Sequence, residues 1–174
     1  MWIGSDRGLF NYDGYSVQPF FDFGTFNNTR IYCGAVADST HLYFGADNGL
    51  LVYDYRRDVY VDTGVTFPKD IRALARFAGL WWLGTLHGLY TYCPDTGELT
   101  DVSAGLPHRT VYALLPASDG RLYVGTYDGC CRLAEGDGAG YEPVALPSRR
   151  GKSNLFVNAL LEDKERGCIW IGME

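Results

Sequence analysis

Trp81-Trp82-Leu83-Gly84-Thr85-Leu86-His87-Gly88-Leu89-Tyr90-Thr91-Tyr92 recurs, in outline, through the whole 174-residue chain. Its opening pattern of apolar, aromatic, apolar and Gly returns as Met1-Trp2-Ile3-Gly4, Leu42-Tyr43-Phe44-Gly45, Leu122-Tyr123-Val124-Gly125 and Ile169-Trp170-Ile171-Gly172. The closing glycines are 41, 39, 41 and 47 residues apart. Four residues on, a second glycine recurs at Gly8, Gly49, Gly88 and Gly129, with Leu9, Leu50 and Leu89 after the first three. An aromatic follows at Tyr12, Tyr53 and Tyr92, while Leu133 takes its place in the fourth and most divergent copy. A fixed period near 40 residues is the mark of a repeat architecture.

Each unit reads as strands, because its segments are aromatic and β-branched with roughly alternating polarity and are separated by glycine turns. Gly-x-x-x-Gly marks a hairpin corner, where the backbone needs positive φ or close approach. It lies in no apolar 20-mer, which separates it from a membrane dimerisation motif. Upstream of each later aromatic strand lies an Ala- and aliphatic-rich stretch, at residues 31–36, 71–75, 111–115 and 156–161, as a crowded inner strand requires. Less regular segments follow the Tyr strands, at 17–21, 59–62, 99–102 and 141–146. Four short antiparallel strands per 40 residues predict an all-β fold of β-propeller blades, an incomplete ring of about four. Leucine-rich and helical repeats need another period, and a β-sandwich is the structural alternative. The recurrent Trp and Tyr side chains are expected to fill the core between blades rather than to stack on a ligand.

The units fall at about 1–30, 31–69, 70–109 and 110–153, with a partial blade at 154–174. Three strands, three sets of four and a final pair are expected, and four closed blades would not need the last Ile-Trp-Ile-Gly. The chain reads as a piece of a longer array, whose open flanks call for further blades or a second copy of the chain, most simply in a homodimer.

Composition removes other classes. Lys and Arg number 15 against 21 Asp and Glu, a net charge of −6 that disfavours a nucleic-acid partner. The longest apolar runs are far short of the ~20 residues of a membrane helix, and the N-terminus shows no export signal. Five cysteines without a Cys-x-x-Cys or zinc-finger spacing read as packed strand thiols, with one incidental disulfide as the alternative.

The segments Trp2 to Asp13 and Leu83 to Tyr92 resemble the two-component regulator propeller repeat, a Trp-Ile-Gly-Thr strand followed by Gly-Leu and an aromatic. Val111 to Leu115, Asp119 to Gly125 and Val157 to Asp163 are similar to its longer form. Cys130-Cys131 and Ala46 depart from it. The resemblance implies the periplasmic sensor region of a hybrid two-component histidine kinase, ahead of an immunoglobulin-like domain, a membrane helix and the kinase. Many such sensors respond to oligosaccharides. This chain has no phosphoacceptor His box, nucleotide loop or receiver domain, so kinase activity cannot reside in it.

No enzyme pattern stands out. His41, His87 and His108 occupy unrelated repeat positions, and no metal motif or nucleophile elbow is present. Glu162 and Asp163 read as a turn pair, not as carboxylates across a cleft. Catalytic residues, metal and cofactor are therefore expected to be none, a propeller lyase being the form an enzyme would take.

A binding reading needs polar groups on one rim, where turns between second and third strands meet the crossovers to the next inner strand. The turns offer Arg7, Asn48, His87, Tyr127 and Asp128; the crossovers offer Arg30, His108, Arg109, Arg149, Arg150 and Asn154. Arg forks, amides and an aromatic suit sugar hydroxyls or a uronate. Any one of these residues is equally at home as ordinary turn chemistry. Arg149-Arg150-Gly151-Lys152 is the only dense basic patch and lies in the insertion that lengthens the last interval, where a solvated loop is the plainer reading. The function expected is an oligosaccharide-sensing propeller; the alternative is a non-catalytic interaction or dimerisation scaffold.

Overall fold

A computed structural model describes residues 1–20, 29–36, 40–134, 140–147 and 155–174. Among them every regular element is a β-strand, seventeen in all. The first sheet holds β1 (Trp2–Ser5), β2 (Gly8–Tyr12) and β3 (Val17–Phe20). Three four-stranded meanders follow. They are β4 (Ile31–Val36), β5 (His41–Ala46), β6 (Gly49–Asp54) and β7 (Val59–Tyr60); β8 (Ile71–Phe77), β9 (Leu80–Thr85), β10 (Leu89–Cys93) and β11 (Glu98–Asp101); and β12 (Val111–Pro116), β13 (Arg121–Thr126), β14 (Gly129–Ala134) and β15 (Glu142–Pro143). The pair β16 (Val157–Asp163) and β17 (Cys168–Met173) completes the chain. All pairings are antiparallel between sequential strands. These are propeller blades, and they do not close into a ring.

The core lies between blades, in successive layers. Alternation sends Leu42 and Phe44 of β5 back onto Leu9, Ile31 and Trp2, and Tyr43 forward onto Ile71, Trp81 and Leu83. Trp82 then packs forward with Val111, Leu122 and Val124, and Tyr123 with Val157 and Ile171. The recurrent aromatic is thus a key that the next blade covers: Tyr43, Trp82 and Tyr123 are each 7% exposed. Tyr43 stacks on Trp81 with centroids 4.5 Å apart. Trp170, in the same repeat position, is 54% exposed on the open face of the last pair.

The two glycines of the motif do different work. Gly8, Gly49 and Gly129 open the third strand with φ of 119°, 133° and 106°, a region closed to most side chains. Gly4, Gly45, Gly84 and Gly125 lie inside β-strands, where an added Cβ would stand within 2.6–2.8 Å of Ile31, Ile71, Val111 or Val157, each on the inner strand of the next blade. The first glycine is therefore a contact point between blades rather than a corner.

Other expectations change in detail. Glu162 and Asp163 end β16 instead of forming a turn; Asp163 accepts the Arg166 N–H and Glu162 caps Ser118. Cys130 and Cys131 fit an ordinary β14, both buried, with Cys130 packing beside Tyr123. All five cysteines are free; Cys33 and Cys93 are half-buried, whereas Cys168 is exposed because no blade covers β17.

Candidate functional site

The turns between second and third strands are built by a Ser or Thr that follows the first glycine. Ser5, Thr85 and Thr126 each donate to the carbonyl of the second glycine, at 3.0, 3.0 and 2.8 Å, and accept a turn N–H. Ala46 cannot do this, and its turn is held from the crossover instead: Asp47 N–H donates to Arg30 O at 3.0 Å and Asn48 Nδ2 to Thr29 Oγ1 at 3.3 Å. Similar links tie Tyr127 to Thr110, Thr110 to Leu86 and Gly129 to Leu155. Turns and crossovers therefore share one rim, as strand polarity requires.

Several expected site residues are engaged in building that rim. Arg109 donates to His87 O at 2.9 Å and pairs with Asp101 at 3.2 Å, and Asp128 accepts Leu155 N–H at 3.1 Å. Arg7, Arg30 and the His87 ring are exposed, and no ion pair engages the two arginines among the described residues. His108 and Tyr127 come together, with ring centroids 5.3 Å apart. Arg149, Arg150 and Asn154 lie outside the described residues.

A further set of rim residues escaped the sequence reading. Every inner strand carries one bulge, between Ile31 and Cys33, Ile71 and Ala73, Val111 and Ala113, and Val157 and Ala159. A bulge re-aims the side chain of its extra residue. The four are Tyr32, Arg72, Tyr112 and Asn158. Arg72 lays its guanidinium 3.8 Å from the Tyr32 ring centroid and 3.9 Å from Asp70, whose carboxylate accepts the Tyr32 hydroxyl at 3.2 Å. Its Nε is buried without a partner. On the next blades Tyr112 meets Phe156 edge-on at 4.6 Å, and Phe156 reaches Tyr127 at 5.7 Å. The available signal was the position after the first Ile or Val of each inner strand, filled in turn by Tyr, Arg, Tyr and Asn.

The perturbed carboxylates are structural. Asp54 is held below the ordinary range by the Arg57 N–H, Asp163 by the Arg166 N–H, and Asp101 by the Ser103 hydroxyl and N–H. Among the described residues no three His, Cys, Asp or Glu side chains cluster to hold a metal ion, and no helix is long and apolar enough to cross a membrane. The rim's chemistry is that of hydrogen-bonding and stacking, from aromatic faces and charged donors.

The family model described as two component regulator propeller matches residues 105–128. The extracellular domain of BT4673 from B. thetaiotaomicron, assigned in one crystal structure to a one-component and in another to a hybrid two-component system, is 49% identical over 99% of this chain, with TM-scores of 0.92 and 0.91. This chain spans 24% and 23% of those solved domains. The extracellular domain of BT3049 from the same organism, at 19% identity and TM-score 0.81 over 98% of this chain and 24% of its own, shares the fold. So does virginiamycin B lyase from Staphylococcus aureus, at 12% identity and TM-score 0.68 over 98% of this chain and 61% of its own. A comparison with curated protein sequences found no match. The glycine and aromatic registers, the open blades and these likenesses agree: residues 105–128 match a two component regulator propeller repeat, and the chain as a whole is similar to part of the extracellular domain of a hybrid two-component system.

Proposed function

We propose that this chain is part of the extracytoplasmic, periplasmic sensor region of a hybrid two-component histidine kinase, and that it recognises an oligosaccharide or relays its binding through blade packing. The observation that carries the sensor reading is the 49% identity, sustained over 99% of the chain, to an extracellular domain assigned to such a system. The saccharide reading is supported by the rim, where the Tyr32–Arg72–Asp70 cluster and the Tyr112–Phe156–Tyr127–His108 rings present stacking faces beside charged donors. Arg7, Arg30 and His87 extend that surface. Catalysis is no part of this reading; the module binds.

Thermal unfolding in the presence of oligosaccharide fractions tests it. Ligand at 100 times Kd stabilises by about 2.7 kcal/mol, a rise of roughly 5–10 °C for a chain of this size. Arg72→Gln and Tyr112→Ala should remove that rise. If no fraction shifts the midpoint, the saccharide reading falls.

The exposed Trp170 and Leu161, at 54% and 64%, favour a second reading, a scaffold that uses this open apolar face to join a second copy or further blades. Sedimentation would then show an associated species that Trp170→Ser turns into a monomer, with no saccharide bound.

A further inference from the structure

The two ends of the array are unlike, and each lacks what the other carries. Among the described residues β1 pairs with β2 alone, so its inner edge is open, whereas β5, β9 and β13 each have an inner strand there. Gly4 is exposed on that edge, while Gly45, Gly84 and Gly125 are buried. Beside it lies a cavity of about 300 Å³, lined by Trp2, Ile31, Cys33, Leu42 and Phe44. In the complete third blade the matching space is filled from the inner strand, by Ala75 and Phe77 packed with Leu122 and Val124 of the next blade. At the other end β16 pairs with β17 alone. There Leu161 occupies the repeat position of Ala75, opposite Trp170 as Ala75 is opposite Trp82. Ala75 is 5% exposed and Leu161 64%.

β17 repeats β1: Trp170-Ile171-Gly172 answers Trp2-Ile3-Gly4. In the last pair these residues stand opposite Leu161, Leu160 and Ala159, with Met173 opposite Val157. β1 of a second copy can enter the same register and bring β2 and β3 with it. It would set Ser5 opposite Val157, as Thr85 is opposite Ile71 and Thr126 opposite Val111, and Ile3 in the place of Ile171 beside Tyr123 and Val157. Leu161 would then fill the cavity beside Trp2 of the incoming copy. We propose that the chain forms a head-to-tail dimer through shared blades, in which β16 of one protomer is the inner strand and β1–β3 of the other are the remaining three. Strand pairing is exchanged like for like, so the gain comes from the buried leucine and from closing open sheet edges. Exchange of an equivalent element between protomers is a low-cost route to a dimer. Two copies joined at both ends comprise about eight blades, within the range of closed propellers. The proposal rests on the scaffold reading for its partner, a second copy, but names a contact other than the open face, because Trp170 lies on the strand that is displaced.

Sedimentation velocity on the whole chain and cysteine cross-linking test it. A dimer is expected, with Ile3→Asp and Leu161→Asp each raising its dissociation constant about tenfold or more, the weight of one buried aliphatic side chain. Leu161 is exposed and Ile3 half-buried in the single chain, so both variants should keep the wild-type circular dichroism spectrum. Trp170→Ser should remain a dimer. In a Cys168→Ser background, mixing Ile3→Cys chains with Leu160→Cys chains should give a disulfide-linked heterodimer, because opposed residues of antiparallel strands bring their Cβ atoms within about 5 Å. A dimer that survives Ile3→Asp or forms no cross-link refutes the shared blade; if Trp170→Ser dissociates that dimer, the scaffold reading stands on its open face. A chain that stays monomeric at every concentration overturns the proposal and the second-copy scaffold together, and leaves both ends to further blades.

Discussion

Gly84→Ala tests the claim that the motif's first glycine sets the distance between blades. The new methyl would stand 2.6 Å from Val111 Cγ1, 3.2 Å from Val111 Cβ and 3.3 Å from Ala73 Cβ. Carbon atoms prefer about 3.5–4.0 Å, so β12 must retreat from β9 by about 1 Å across a layer that also holds Leu122 and Val124, neither of them exposed. Such overpacking costs about 1–3 kcal/mol, from which about 0.5–1 is regained by replacing a strand glycine. The net loss is about 0.5–2 kcal/mol, or roughly 1–8 °C in the thermal midpoint. Gly172→Ala is the control. Its methyl would meet Ala159 Cβ at 3.1 Å and Asn158 Oδ1 at 3.3 Å, both within its own hairpin, and no blade presses on that face. It should change stability by less than about 0.5 kcal/mol. Circular dichroism melts and urea titrations followed by tryptophan fluorescence give both values. The double variant Gly84→Ala, Val111→Ala should be less destabilised than the sum of its singles, because it removes the colliding Cγ1. Equal midpoints for Gly84→Ala and Gly172→Ala would refute the spacing argument, and strict additivity would place the strain elsewhere.

Three other outcomes follow from the same structure. Ser103→Ala should cost about 1–3 kcal/mol in urea unfolding, because Ser103 Oγ accepts the buried Leu89 N–H at 2.9 Å and its loss leaves that donor unpaired. Burial pushes the thiols of Cys33, Cys130 and Cys131 up to about 12, about 11 and about 12, from an ordinary 9.0. The unfolded chain therefore releases these protons first, so stability present below about pH 9 declines as pH rises toward 11–12. In mass spectra of the folded protein after brief alkylation, exposed Cys168 and half-buried Cys93, whose thiol the Thr96 hydroxyl holds below its ordinary value, should be modified well before Cys33, Cys130 and Cys131, whose thiols are held above it.

Much of the fold was legible because the repeat multiplies a weak local signal. One apolar-aromatic-apolar-Gly segment is ambiguous, but five in register give strand order, turn positions and the alternation that sends Tyr43 and Trp82 forward and Leu42 and Trp81 back. The shared rim was equally legible, since antiparallel strands of equal length must place second-to-third turns beside the crossovers. Which rim side chains remain available was not. Arg109 and Asp128 read as ligand contacts in one dimension, yet they bond to His87 O and Leu155 N–H across sequence gaps that only folding closes.

The sequence by itself determined the strands, their grouping and the likeness to the regulator propeller repeat, because period-two patterning and glycine placement are local properties. Only the tertiary structure decided the rest: that the first glycine is a blade contact, that the bulges bring Tyr32, Arg72 and Tyr112 to the rim, that Trp170 lacks the cover its equivalents have, and that a cavity opens beside Trp2 and Ile31. Each depends on how one sheet lies against the next, a relation set by side-chain packing between residues about 40 positions apart, to which no local propensity refers.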